Sequence, residues 1–133
     1  MPLTEEHDNI LLMSDKITFI YSTYPNLEAA KLSAKLLLEQ NLIACANINP
    51  RMISMYLWKG QLEESQEVSV IFKTQTKLFE DCKNAIKNHH PYEIPCILEW
   101  EISQGNQPYL EWINEALPVR EKLEKKESSA DSK

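Results

Sequence analysis

Glycine is nearly absent from this 133-residue chain, which has only Gly60 and Gly105. A phosphate-cradling loop needs several glycines close together, so that kind of nucleotide site is excluded. Positive charge is also short, with 14 Lys and Arg against 20 Asp and Glu and a net charge of −6. Phosphate backbones are held by clustered cations, and the lysines here are scattered among carboxylates, so no nucleic-acid partner is expected. Cysteine is scarce and odd in number, at Cys45, Cys82 and Cys96. Wide, irregular spacing favours free thiols in a reducing compartment over a disulfide framework, which predicts a cytoplasmic protein. No apolar run is long enough to span a bilayer, and the acidic N-terminal stretch does not read as a signal peptide, so no membrane partner is expected.

What is present suits one soluble domain, with 43% hydrophobic and 26% charged residues. Residues 1–15 and 118–133 differ in composition from the middle. The first segment reads as a flexible extension and the second, VREKLEKKESSADSK, as a charged tail. The domain is expected over residues 16–117.

Within it, KITFIYST alternates Ile17, Phe19 and Tyr21 against Thr18 and Ser22, the period of a strand. Asn26 then caps a helix with Leu27, Ala30, Ala34, Leu37 and Leu38 on its apolar stripe. A second strand begins in LIACANINP, is interrupted at Pro50 and resumes in MISMYLWK, before a turn at Gly60. Val68, Val70 and Phe72 alternate with polar residues on a third strand, and a second helix starts at Thr76. A fourth strand puts Cys96, Leu98, Trp100 and Ile102 on one face. A third helix, Asn106 to Leu117, carries Tyr109, Trp112, Ile113, Ala116 and Leu117 as its stripe. The order βαββαβ plus one helix predicts an α+β, ferredoxin-like sandwich. Both faces of the second strand are apolar, with Met52, Tyr56 and Trp58 against Ile53, Met55 and Leu57. A second subunit is therefore expected to cover what the third helix leaves bare.

The chemistry concentrates in HHPYEIP, residues 89–95. His89, Glu93 and the neighbouring Cys96 are of types that bind borderline or soft metals. The two prolines equally suit a stiff corner whose polar residues serve the fold. Tyr56, Trp58, Lys73, His90, Tyr92 and Glu93 are candidates for lining a ligand cleft, with aromatic packing and a Lys73 ion pair to Glu67 or Glu93 as the plainer alternative. Histidine also shuttles protons near neutral pH, which leaves a small enzyme using His89 or His90 as a further alternative. No nucleophile-elbow, zincin or Cys–His signature accompanies it, and a non-enzymatic protein is preferred.

The stretches ACANINP, SMYLWKG, EVSVIFKT, HHPYEIP and GNQPYLEWI, in this order and spacing, resemble the CutA family of divalent-cation tolerance proteins. The resemblance covers nearly all of residues 16–117. It implies a homotrimer similar in architecture to the PII signalling proteins, and a response to divalent metal, copper(II) first. It maps the family's proposed copper ligands onto Ser22, His89 and Cys96, with a hydroxyl replacing the first-strand thiol and a thiol replacing the carboxylate. A PII-like module that binds a small ligand or anion between subunits is the alternative.

Overall fold

The computed structural model describes residues 16–117; both predicted tails lie outside them. The elements run β1 (Ile17–Tyr24), α1 (Leu27–Glu39), β2 (Cys45–Trp58), β3 (Gln61–Gln75), a 3₁₀ turn (Thr76–Leu78), α2 (Phe79–His89), β4 (Ile97–Glu101) and α3 (Gln107–Ala116). The strands form one antiparallel sheet in the order β2-β3-β1-β4. This is the ferredoxin-like βαββαβ arrangement with an added C-terminal helix.

Local chemistry sets the element ends. Asn26 caps α1 by accepting the Ala29 N–H at 2.8 Å. Lys59 and Gly60 both take positive φ, 51° and 80°, the two-residue geometry that matches strand twist in a hairpin. Thr76 opens a 3₁₀ turn, and the α-helix proper starts three residues later, at Phe79. Gly105 matters for space: a Cβ there would meet the Leu110 side chain at 3.2 Å.

Pro50 does not break the second strand. β2 runs through it, and a register shift between Asn49 and Met52 absorbs Pro50 and Arg51. A proline lacks the ladder N–H, and an edge strand has a side where none is required.

Register assigns the faces. Ile20 pairs with Phe72, Ser22 with Val70 and Tyr24 with Val68, and all six are buried against the helix side. Ala30, Ser33, Ala34 and Leu37 of α1 and Cys82 and Ile86 of α2 close this core. The alternation had set Ile17, Phe19 and Tyr21 apart as the apolar face of β1, but the fully buried face is the even-numbered one, Thr18 and Ser22 included. A strand with helices on both sides is buried on both faces, so polarity alone does not tell them apart.

The second layer on the odd-numbered face is α3. Ile113 and Leu117 are buried beneath it, and Leu110 packs against the same core. Tyr109 and Trp112, predicted for that stripe, instead stay 40% and 45% exposed. The anchoring positions 110, 113 and 117 follow the helical period, and the aromatic pair lies one residue off it. Leu38 of α1 is likewise exposed rather than packed.

The β2–β3 hairpin outruns the sheet. β1 leaves β3 at Val68, so Met52–Trp58 and Gln61–Glu67 project as a two-stranded arm. Ile53, Met55, Leu57 and Leu62 on one side and Tyr56 and Trp58 on the other are exposed.

Candidate functional site

The predicted residues divide into three places. Ser22 sits in the helix-side core at 0% exposure, beside the equally buried Tyr24 and Ser33. Burial pushes the Tyr24 phenol up, and the nearby Ser33 and Ser22 hydroxyls oppose this only partly.

His89 ends α2, with its Nε2 atom buried and without a partner. Burial holds its pKa below the usual histidine value, so the ring is neutral near pH 7. His90 differs from it, because both ring nitrogens are used. Its Nε2 lies 2.8 Å from the Thr23 carbonyl, and its Nδ1 accepts the Tyr92 N–H at 3.0 Å. That pair of partners fixes the tautomer with the proton on Nε2. The ring also stacks on Tyr24 at 4.4 Å. Burial lowers the His90 pKa most, the Thr23 carbonyl opposes the shift, and His89 adds to it. Both ring nitrogens of His90 are thus engaged within the corner.

On the open face of the sheet, away from α1 and α2, the polar centre is Glu67. Tyr92 donates its hydroxyl to Oε2 at 2.9 Å, and Ser54 donates to Oε1 at 2.6 Å. Burial and then the Glu67 charge push the Tyr92 phenol up to about 12, with Tyr56 contributing last. Tyr21 is raised as well, by burial, Cys96 and Glu67 in that order. Its hydroxyl reaches the Met52 sulfur at 3.3 Å, and its ring lies 5.3 Å from that of Trp100. Burial, with Glu67 second, raises the Cys96 thiol and keeps it protonated at neutral pH. Sequence reasoning treated Glu67 only as a possible partner for Lys73. The signal that could have singled it out is its place on the strand face shared with Met52 and Ser54.

Lys73 does not join this group. It stands six residues along β3 from Glu67, about 20 Å at strand rise. Its ammonium donates to the Tyr109 hydroxyl at 2.8 Å and lies over the Phe19 and Tyr109 rings. Among the described residues it makes no ion pair with Glu67 or Glu93. Glu93 itself is exposed, and Trp58 lies near the arm tip with Lys59 Nζ 5.9 Å from its ring centroid. Of the predicted cleft residues, Tyr92 lies against Glu67, Tyr56 acts on the Tyr92 phenol from the position opposite Glu63, and His90 holds the Tyr92 N–H.

The mapped metal donors are divided between the two faces of the sheet. Ser22 belongs to the helix side, whereas Cys96 follows the Leu98 and Trp100 alternation and acts on Tyr21 of the open face. Among the described residues no three His, Cys, Asp or Glu side chains group to hold a metal ion. Of the three mapped ligands, His89 fits a metal by its neutral ring and unpartnered buried nitrogen. Ser22 does not, being sealed in the core.

Residues 18–116 match the family model described as CutA1 divalent ion tolerance protein. The divalent-cation tolerance protein CutA of Pyrococcus horikoshii is 41% identical over 96 residues, covering 72% of this chain and 93% of its own. The protein of the same name from Thermus thermophilus is 42% identical over 93 residues, 70% of this chain and 90% of its own. Among solved structures, the divalent ion tolerance protein CutA1 of Ehrlichia chaffeensis superposes with a TM-score of 0.74 at 33% identity, covering 77% of this chain and 96% of that one. A CutA of Archaeoglobus fulgidus, described as periplasmic, gives 0.71 at 39% identity over 76% of this chain and 98% of that one. These names describe ion tolerance, and none is that of an enzyme. Among the described residues no helix is long and apolar enough to cross a membrane.

Proposed function

The chain belongs to the CutA1 divalent ion tolerance protein family, and from that premise we propose that it is a cytoplasmic homotrimer that binds divalent metal, copper first. The observation that carries the metal reading is the buried, unpartnered Nε2 of the neutral His89 ring. Imidazole with a thiolate suits copper better than magnesium or calcium. His89 and Cys96 bracket the HHPYEIP loop and are the two donors assigned to the ion. Cys96 must give up its proton on binding, so affinity falls as pH drops. Ser22 takes no part, since reaching it would open the core. Copper would be held by these two donors and, when bound, would supply a Lewis-acidic cation there.

Titration calorimetry of the full chain with copper(II) tests this. His89→Ala and Cys96→Ser are each expected to weaken binding about tenfold or more, and Ser22→Ala to leave it unchanged. Affinity unaltered by both of the first two substitutions overturns the assignment.

A second reading rests on the open face, where Tyr92 and Ser54 converge on Glu67. A regulatory module of PII-like architecture would take a small ligand there, in a cleft completed by a neighbouring copy. A thermal-shift screen checks it, because a ligand preferring the folded state raises the melting point.

A further inference from the structure

The two histidines of HHPYEIP are adjacent in sequence but are used differently. His89 is the last residue of α2, and its Nε2 is buried without a partner. His90 stands before Pro91, and a residue in that place is pushed out of helical backbone. It accordingly leaves the helix, at φ −75° and ψ 136°. Its ring lies against β1, with Nε2 2.8 Å from the Thr23 carbonyl and the ring stacked on Tyr24 at 4.4 Å. The same ring accepts the Tyr92 N–H at 3.0 Å and lies 5.2 Å from the Tyr92 ring. Tyr92 in turn reaches Glu67. Among the described residues, the side-chain hydrogen bonds and ring contacts of residues 90–95 all belong to His90 or Tyr92. Glu93 and Ile94, at the far side of the loop, are exposed.

The His90–Thr23 contact lies where the loop closes. Ile97 of β4 pairs with Ser22, so Thr23 is the β1 residue beside which the chain returns as Cys96. Six residues separate His89 from Cys96, and an extended link of that length could part them by about 20 Å. Bonding to Thr23 instead fastens the end of α2 to the strand position next to Cys96. A loop fixed beforehand loses less conformational freedom on binding an ion than one the ion must gather. We propose that His90 is a positioning residue for metal binding: through Thr23, Tyr24 and Tyr92 it holds in place the loop that carries His89 and Cys96. This role rests on the assignment of those two donors above, and adds a residue that acts on the ion only through them.

Copper(II) calorimetry of the full chain and an ultraviolet titration of the metal-free chain test it together. His90→Phe keeps a ring against Tyr24 and removes both nitrogen contacts. It is expected to weaken copper about tenfold although both donors remain. In a His89→Ala background the same change is expected to cost less than about twofold, because it acts through His89. Without metal, His90→Phe is expected to bring the last tyrosine to ionise from about 12 toward 10, as Tyr92 leaves Glu67. Loss of a mere ligand would not move that titration, so an unshifted tyrosine overturns the proposal. His90→Gln, whose amide can still donate to the Thr23 carbonyl, is expected to restore most of the affinity and keep the tyrosine near 12. Equal losses in the two variants, with circular dichroism showing both folded, overturn it as well. Should His90→Phe fail to fold, the glutamine variant alone decides, and a tenfold loss of copper in it counts against the proposal. Copper weakened by His89→Ala but not by His90→Phe sinks this role alone. Copper held equally by His89→Ala and Cys96→Ser sinks the donor assignment, and this role with it.

Discussion

Tyr92 reaches from the HHPYEIP loop to β3 and donates its hydroxyl to Glu67 at 2.9 Å. The bond ties a loop with two prolines to the last β3 residue before β1 joins the sheet. Removing it with Tyr92→Phe keeps the ring in place and costs about 1.5–3 kcal/mol, the range for a hydrogen bond to a charged group. Urea denaturation measures that loss. The phenol also has a spectroscopic signature. Its pKa is raised to about 12 in the folded chain, so this contribution is complete below pH 10 and disappears as pH rises through 12. Glu67→Gln is expected to bring the last tyrosine to ionise back toward pH 10 in an ultraviolet titration.

His90 gives the opposite pH sense. Its Nδ1 accepts the Tyr92 N–H, and protonation would turn that acceptor into a donor facing a donor. Burial, the largest cause, depresses the folded pKa. The corresponding stability is present above the unfolded histidine value of about 6.5 and is lost as pH falls through the depressed folded one. His89 is lowered in the same direction. Denaturation midpoints from pH 7.5 down to 5 should fall for the parent chain. They should fall less steeply for His90→Gln, and least when His89→Gln is added.

Ile113 is fully buried under α3, while Trp112 beside it is 45% exposed. Ile113→Ala deletes core volume and is expected to cost about 2–5 kcal/mol. Trp112→Ala should cost the folded chain less, although the residue is larger. Guanidinium denaturation of the two variants decides the order, and a larger loss for Trp112→Ala would mean that its ring is covered in solution.

Much of the fold could be read from the sequence because its signals are local. The Asn26 cap, the Lys59–Gly60 turn and the alternation Val68, Val70, Phe72 each specify their own few residues. The faces of β1 were harder to read, since a central strand covered by helices on both sides carries no contrast between Thr18 and Phe19. Pro50 misled for a related reason: its missing N–H breaks a central strand but not an edge, and edge position is a property of the whole sheet. At the site, adjacency in HHPYEIP was legible but partnership was not. Tyr92 and Glu67 are 25 residues apart, and only the β3–β1 register with the loop folded back brings them together. Lys73 and Glu67, six apart on one strand, suggested an ion pair that strand rise forbids.

Two strands alone are marginal in water, because a single ribbon buries too little apolar surface. Here the ribbon presents Ile53, Met55, Leu57 and Leu62, each more than 60% exposed, on the side facing away from Tyr56 and Trp58. A monomer would gain nothing from keeping four large aliphatic side chains in water on an unsupported ribbon. Packing against neighbouring copies removes that cost and is the expected source of the arm's order. Replacing Ile53 and Leu57 together by lysine leaves the helix-side core untouched, since none of its residues lies on the arm. Light scattering at micromolar concentration should give three chains for the parent and one for the double variant, with the helical signal in circular dichroism kept. A double variant that remains three chains would place the subunit contact elsewhere. A parent that is already a stable single chain would mean that the ribbon holds its shape unaided.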